Sequence, residues 1–464
     1  MTASQSQKWG ILFAVGVTQF AVPFMLSAVG VCLPAIGREF AASAVSLSLV
    51  ESVFLGVNAM LLLPVGRAAD ICGRGAIFLI GLVIFALGTL GLAMAPSMPI
   101  FLCIRGGQAI GGAMTLATGL ALIYDAFPRE ETGRAIGISV AGIFLGISAG
   151  PFLGGLIASL WGWRVLFEVG LIPFVVALLL CLRGLDWRPS CKNSERFDWP
   201  GALSSAAAIG LFVWASAHVD TSLGRWGLLV GALCFVLFLI LERRAPAPLL
   251  HLDLFASNRT FSLGVGAIAI MALGAFGLAF LLSLYLQYGL GMGPAEAGLV
   301  LVVQPIIQSV ISPLCGQLAD RVPPSVLSAL GALLSAIGLG LAATLGATSG
   351  LTMVIVVLVV MGIGTGIYAS PSTLVVMSSV EQTRYGIASA VTGQSRTLGM
   401  TACMAAVSMV IAAFIGDQPL GPAVFPSYLK AMRLLLAGGC ALCLLAAVLS
   451  FFANGQARPQ PDNG

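Results

Sequence analysis

The sequence is built from apolar stretches, one after another, each long enough to cross a lipid bilayer. A spanning helix needs about 20 apolar residues. The pattern predicts fourteen of them, the first at 10–34 and the last at 431–452. The seventh and eighth, 200–218 and 226–241, flank a polar interruption from His218 to Arg225; without that pair twelve spans remain, with the same orientation. Inside a bilayer no water is present to bond free N–H and C=O groups, so such stretches must be helices. A soluble alternative fails on charge. Only 9% of residues are charged and 59% belong to the apolar set, whereas soluble proteins carry about 25% charged residues. The expected fold class is an all-α polytopic membrane protein. The first stretch has only Lys8 before it and no clear small-residue cleavage site, so it reads as a retained span and not as a signal peptide.

The 22 basic residues give a direction. With the N terminus placed in the cytoplasm, fifteen fall in cytoplasmic segments. Five (Arg38, Arg164, Arg225, Lys430 and Arg433) fall outside, and Arg105 and Arg396 lie within spans. Cytoplasmic loops carry the excess of Lys and Arg, so both termini are expected inside a plasma (inner) membrane. Two charged segments, 183–199 and 242–260, are long enough to be linkers. The expected organisation is a six-helix bundle over 1–183, a middle section of loops and two inserted helices over 184–259, and a second six-helix bundle over 260–464. A net charge of +4 gives no reason to expect a nucleic-acid partner. The ten cysteines lie mostly within apolar runs, at spacings unlike metal or disulfide frameworks, and read as small apolar fillers.

Two turns repeat. Gly66, Asp70, Gly73 and Arg74 follow the second span; Gly316, Asp320 and Arg321 follow the tenth. Both read G-x-x-x-D with a basic residue nearby, 250 residues apart, between the second and third helices of a six-helix half. Duplicated halves are a sequence sign of an alternating-access transporter. Glycine allows the tight reversal, and a carboxylate beside a helix N-terminus is favoured by roughly 0.3–1 kcal/mol.

On these residues the chain resembles the major facilitator superfamily, in particular its fourteen-helix drug:proton antiporter branch. The first turn matches the family's signature at Gly66, Asp70, Gly73 and Arg74, with Ile71 and Gly75 where basic residues are usual. Arg105, Gln108, Gly111 and Gly112 in span four look like the R-x-x-Q-G-x-G motif, with Ala109 replacing one Gly. Gly146, Gly150, Pro151, Gly154 and Gly155 in span five look like the antiporter signature, followed by Gly162-Trp163-Arg164. The resemblance implies two six-helix bundles plus two inserted helices. It also implies export of small molecules against protons, no cofactor beyond the proton gradient, and a monomer in lipid. One departure is marked: Met25 stands where the branch carries an Asp in its first span, and Gly30 where it carries an Asn.

Ionisable groups inside a membrane cost about 2.5–3.5 kcal/mol on insertion scales and are functional candidates by default. Glu51, in the outer half of span two, is the most embedded acid and the candidate for proton exchange. Arg105 is expected at similar depth in span four, where it would act on Glu51 or hold backbone carbonyls. Asp70, Arg74, Asp320 and Arg321 read as gate residues. The span-five glycines should allow close packing against a helix of the other half. Asn58, Tyr285, Gln287, Gln304, Gln308, Tyr368 and Gln394 are candidates to line a central pocket; Gln304 and Gln308, four apart, share one face.

Other classes fare poorly. His218 and His251 are far apart, and no HExxH, phosphate loop or carboxylate cluster is present, so no catalytic centre is expected. A sensor would need a soluble output domain. The expected function is export of lipophilic or amphipathic compounds. The alternative is a dedicated exporter of one metabolite or natural product, which the absent span-one Asp favours.

Overall fold

Prolines sit inside several of the long apolar helices, and glycines turn the chain between some of them. A computed structural model describes residues 5–453 except 128, 185–196, 220, 246–251, 320, 348, 382–384, 417, 419–420 and 422. Asp320, His251 and most of the linker 183–199 therefore lie outside the described residues. α1 (Gln5–Phe40) continues through Pro23 and Pro34, and α2 (Ala44–Cys72) through Pro64. Gly73, at φ 103°, turns the chain into α3 (Arg74–Ala93). α4 (Met98–Ala126) and α5 (Arg129–Trp161) follow; Gly162, at φ 90°, reverses the chain into α6 (Trp163–Gly184). Such left-handed backbone conformations favour glycine because it has no Cβ.

α7 (Trp199–Ser216) and α8 (Ser222–Arg244) form a hairpin whose second helix is capped by Thr221, its hydroxyl accepting from Gly224 N at 3.0 Å. A short α9 (Leu252–Ser257) leads to α10 (Arg259–Ala275). Two expected spans are interrupted. The stretch 261–287 breaks into α10, α11 (Leu278–Leu284) and a π-helical turn at Tyr285–Gly289, and the stretch 296–318 breaks into α12 (Pro294–Leu301) and α13 (Val303–Leu318). At the first break the Gly277 N–H is bonded to Cys403 Sγ at 3.2 Å. Uniform hydrophobicity carries no signal for such local rewinding. α14 (Pro324–Ala343), α15 (Leu351–Ser378), α16 (Tyr385–Ile415) and α17 (Phe425–Phe452) complete the chain.

Among the described residues, twelve helices are long and apolar enough to cross a membrane. α5, described as an apolar run only over Leu145–Trp161, and the 18-residue α7 are not among the twelve. The first six helices pack as α1 on α5 and α6, and α4 on α2 and α3. The last set repeats the scheme: α10 lies on α16 and α17, and α15 on α13 and α14. α7 rests on α2, with Val213 against Gly56 and Met60 against Gly210, and also touches α16.

Candidate functional site

The two charges expected deep in the first half sit on adjacent helices, and each is buried. Arg105 is fully buried on α4, its Nη1 donating to Gln108 Oε1 at 2.6 Å. Gln108 Nε2 donates to Thr89 Oγ1 of α3 at 2.8 Å. The guanidinium carbon stands 4.4 Å from the centre of the Phe54 ring of α2, a cation–π arrangement. The R-x-x-Q spacing thus works as an i,i+3 pair: glutamine orients the arginine and ties it to a third helix. Glu51, one turn above Phe54, is 5% exposed and feels Arg105 through space, but no hydrogen bond or ion pair joins them. Its Oε2 has no partner among the described residues. A Cβ on Gly30 of α1 would lie 3.8 Å from Glu51 Oε1, so this glycine borders the carboxylate. Met25, at the position of the absent Asp, is fully buried elsewhere, its sulfur packed against Gly170 of α6.

The first repeated turn is a charged clasp. Arg74 Nε and Nη2 donate to Asp70 Oδ1 at 3.0 and 2.9 Å, while Nη1 reaches both Asp125 oxygens at 2.9 Å. Asp125, at the end of α4, was not singled out in the sequence. It supplies the partner that makes this a three-helix junction. Gly66 has open space around it, and Arg321 is exposed at the second turn. A second clasp marks the opposite end of the bundle. Arg164 and Trp163 of α6 both donate to Glu39 of α1, the indole at 2.7 Å, and Arg164 also reaches Ala95 O at 3.2 Å.

The span-five glycines do two jobs. Gly146, Gly150 and Gly154 lie against α1, where an added Cβ would strike the backbone or side chains of Phe20, Phe24, Ser27 and Ala28. Gly155 meets the Pro294 carbonyl, and the Pro151 carbonyl meets Gly298. The expected contact with the other half is therefore made by Pro151 and Gly155, while the other three glycines bind α5 to its own bundle. A side chain at any of these sites would force the backbones apart.

Hydrogen bonds between the halves, among the described residues, gather toward the end that carries Glu39 and Arg164. Ser48 Oγ donates to Ser408 Oγ at 2.8 Å, and Ser52 lies 3.1 Å from the same hydroxyl. Ser283 Oγ donates to Gly30 O at 3.0 Å and Gln287 Nε2 to Val31 O at 2.9 Å. The deepest is Gln394 Nε2 to Ala59 O at 3.0 Å. At the other end Tyr124 is 61% exposed. Among the described residues, the bonds that join the halves thus mark the Glu39–Arg164 end as the closed one, and the Arg74 end, where Tyr124 is exposed, is taken as the open one.

This geometry redistributes the expected pocket residues. Gln287 belongs to the closed end. Tyr285 is fully buried there, donating to Gly346 O at 2.7 Å, outside the crevice. Gln394 bridges the halves. Tyr368 is buried where α15 crosses Gly331 of α14. Gln304 and Gln308 remain half-exposed on one face of α13. Asn58 is buried with both amide atoms unpartnered among the described residues, facing Gly112 of α4.

Comparison with known proteins adds to this geometry. The Major Facilitator Superfamily profile matches residues 15–281 and 264–464. The chain is 32% identical over 415 residues to the multidrug resistance protein Stp of Mycobacterium tuberculosis (strain CDC 1551 / Oshkosh), covering 87% of this chain and 76% of that one. It is 29% identical over 305 residues to the lincomycin resistance protein of Streptomyces lincolnensis, covering 64% and 62%. It is 28% identical over 325 residues to the tetracenomycin C resistance and export protein of Streptomyces glaucescens, covering 69% and 60%. Its fold is similar to the crystal structure of a bacterial homologue of the human lysosomal transporter Spinster in an inward-facing and occupied conformation, with a TM-score of 0.69 at 20% identity over 97% of each chain. By profile, relatives and architecture, this multi-pass membrane chain belongs to the Major Facilitator Superfamily, a family of transporters and not an enzyme class.

Proposed function

We propose that the protein is a secondary exporter of lipophilic or amphipathic small molecules, driven by inward proton flow through alternating access. The observation that carries this reading is Glu51: a buried carboxyl with an unpartnered oxygen, beside Arg105 and against the α1–α2 seam, a few residues from the serines that close the halves. Such a group can take up a proton from one side and release it to the other as the seam opens and closes. The relatives named for multidrug resistance and for antibiotic resistance and export support the direction of transport.

In the finer reading α5 and α7 also span. The chain then has fourteen transmembrane helices, both termini in the cytoplasm, and belongs to the drug:proton antiporter branch, working as a monomer in the plasma membrane. The open end, with Arg74 and Asp125, is then cytoplasmic, and the state described is inward-facing. A second reading is a dedicated exporter of one natural product, supported by Met25 in place of the acid and by the two Streptomyces relatives, each named for a single antibiotic.

The deciding experiment is transport in proteoliposomes under an imposed pH gradient, comparing the parent with Glu51→Gln. Gradient-driven accumulation by the parent and its loss in the variant is the expected result. Equal accumulation by both removes Glu51 as the proton site, and no response to the gradient in the parent removes antiport.

A further inference from the structure

Arg396 lies deep within a span of the second bundle, and the scheme above leaves it without a task. It lies on α16, eleven residues in from Tyr385, so at about 1.5 Å per residue it is roughly 16 Å from the open end, near mid-membrane. Its surroundings change along one stripe of the helix. Ser389, Gly393 and Arg396 are exposed, Met400 is half-buried, and Met404, Val407 and Ile411 are buried. A stripe facing lipid would stay exposed throughout. A stripe facing the space between the halves is open at one end and covered where the halves meet, as this one is. The neighbouring face of the same helix carries Gln394, bonded to Ala59 of the first half, and Ser408, bonded to Ser48. Arg396 therefore projects into the crevice and not into hydrocarbon, where an arginine would be costly.

Nothing negative answers it. Among the described residues, the side chain acting on Arg396 through space is Tyr368, a neutral phenol. Among the described residues, the carboxylates named above answer other cations: Glu51 feels Arg105 of the first half through space, and Asp70 and Asp125 are held by Arg74. On the second half the crevice thus presents the Arg396 guanidinium, with half-exposed Gln304 and Gln308 as neutral partners. A guanidinium is a fork of N–H donors that matches a carboxylate or sulfate in two parallel bonds. A lipophilic cation would meet an uncompensated like charge in a site of low dielectric.

We propose that Arg396 is the counter-charge for the substrate, and that the crevice takes amphipathic compounds bearing an anionic group such as a carboxylate, phenolate or sulfate. This rests on the exporter reading for its direction, but the binding site stands or falls separately.

The test is equilibrium binding of two xanthene dyes of similar size, anionic fluorescein and cationic rhodamine 123, to the purified full-length protein by fluorescence anisotropy. Saturable fluorescein binding, tighter than rhodamine binding, is expected in the parent. Arg396→Gln is expected to weaken fluorescein binding about 10- to 100-fold, as loss of a charge-assisted pair does, while Arg396→Lys retains most of it. Tighter rhodamine binding in the parent overturns the proposal without any variant. So does fluorescein binding that is not saturable, or that is unchanged in a folded Arg396→Gln. If Arg396-dependent fluorescein binding holds but proteoliposomes do not accumulate the dye under a pH gradient, the anion site stands and the exporter reading falls.

Discussion

Arg74 reaches both oxygens of Asp125 at 2.9 Å with a single nitrogen while its remaining donors hold Asp70. One side chain thereby joins α2, α3 and α4 at the open rim. The groups are from a third to more than half exposed, so the pair itself contributes about 0–1 kcal/mol to stability. Asp125→Asn should change the midpoint of thermal unfolding little. It should slow transport several-fold, because a looser rim changes the balance between the two access states. Parallel thermal-shift and initial-rate measurements separate the two effects, and a large fall in stability with unchanged rate would contradict this assignment.

The closed end depends on Ser408, which bonds both Ser48 and Ser52 across the halves. Ser408→Ala removes the two hydrogen bonds it makes between the halves, each worth about 0.5–1.5 kcal/mol. The expected outcome is a shift toward the state open at the Glu39–Arg164 end. Maleimide labelling of a cysteine introduced at Tyr124, in a background without native cysteines, should slow as that rim closes. Unchanged labelling would show that the serines only fill space.

Along α5 the glycines should not tolerate even a methyl group. Gly150→Ala would push Cβ onto Ser27 and the Phe24 carbonyl, at a cost of about 1–3 kcal/mol. Gly107→Ala, at a site with open space around it, should be tolerated and serves as the control. Comparison of detergent thermal stability for the two variants is the measurement; equal loss would refute the close-packing account.

Placing at position 25 the acid of the antiporter branch that the chain resembles should not confer that branch's chemistry. Met25 is buried against Gly170, not beside Glu51. Met25→Asp would therefore place a carboxyl in an apolar seam at a cost of about 2.5–3.5 kcal/mol. Lower expression and stability are expected, with no gain in cation binding. A stable variant that binds rhodamine 123 more tightly would show that position 25 reaches the crevice.

What the sequence made legible was whatever repeats locally. Apolar runs gave the helices, and the spacing of Arg105 and Gln108 marked a motif, but that the two side chains bond to each other came from the structure. The glycine spacing of span five marked close packing but not which neighbour each glycine meets, because Gly154 and Gly155 are adjacent in the chain and point to different halves. Asp125 was hidden for a related reason. Its partner lies 51 residues away, and a carboxylate at a helix end looks like any other charge in a turn. The Ser48–Ser408 bond spans 360 residues, and serine is too common in such helices to single out. The breaks at Gly277 and Val302 leave no mark in hydropathy, although Pro305, whose ring meets the carbonyl four residues earlier, accounts for the second.

The seam between α1 and α5 is formed by backbone lying on backbone, with almost no side chain between. Two helices joined in this way form a single beam, whose stiffness does not depend on what the crevice-facing residues happen to be. Residues that meet the cargo can then be exchanged without slackening the part that transmits the motion. The architecture keeps mechanical integrity apart from chemical selectivity, and new specificities can arise on the same moving frame.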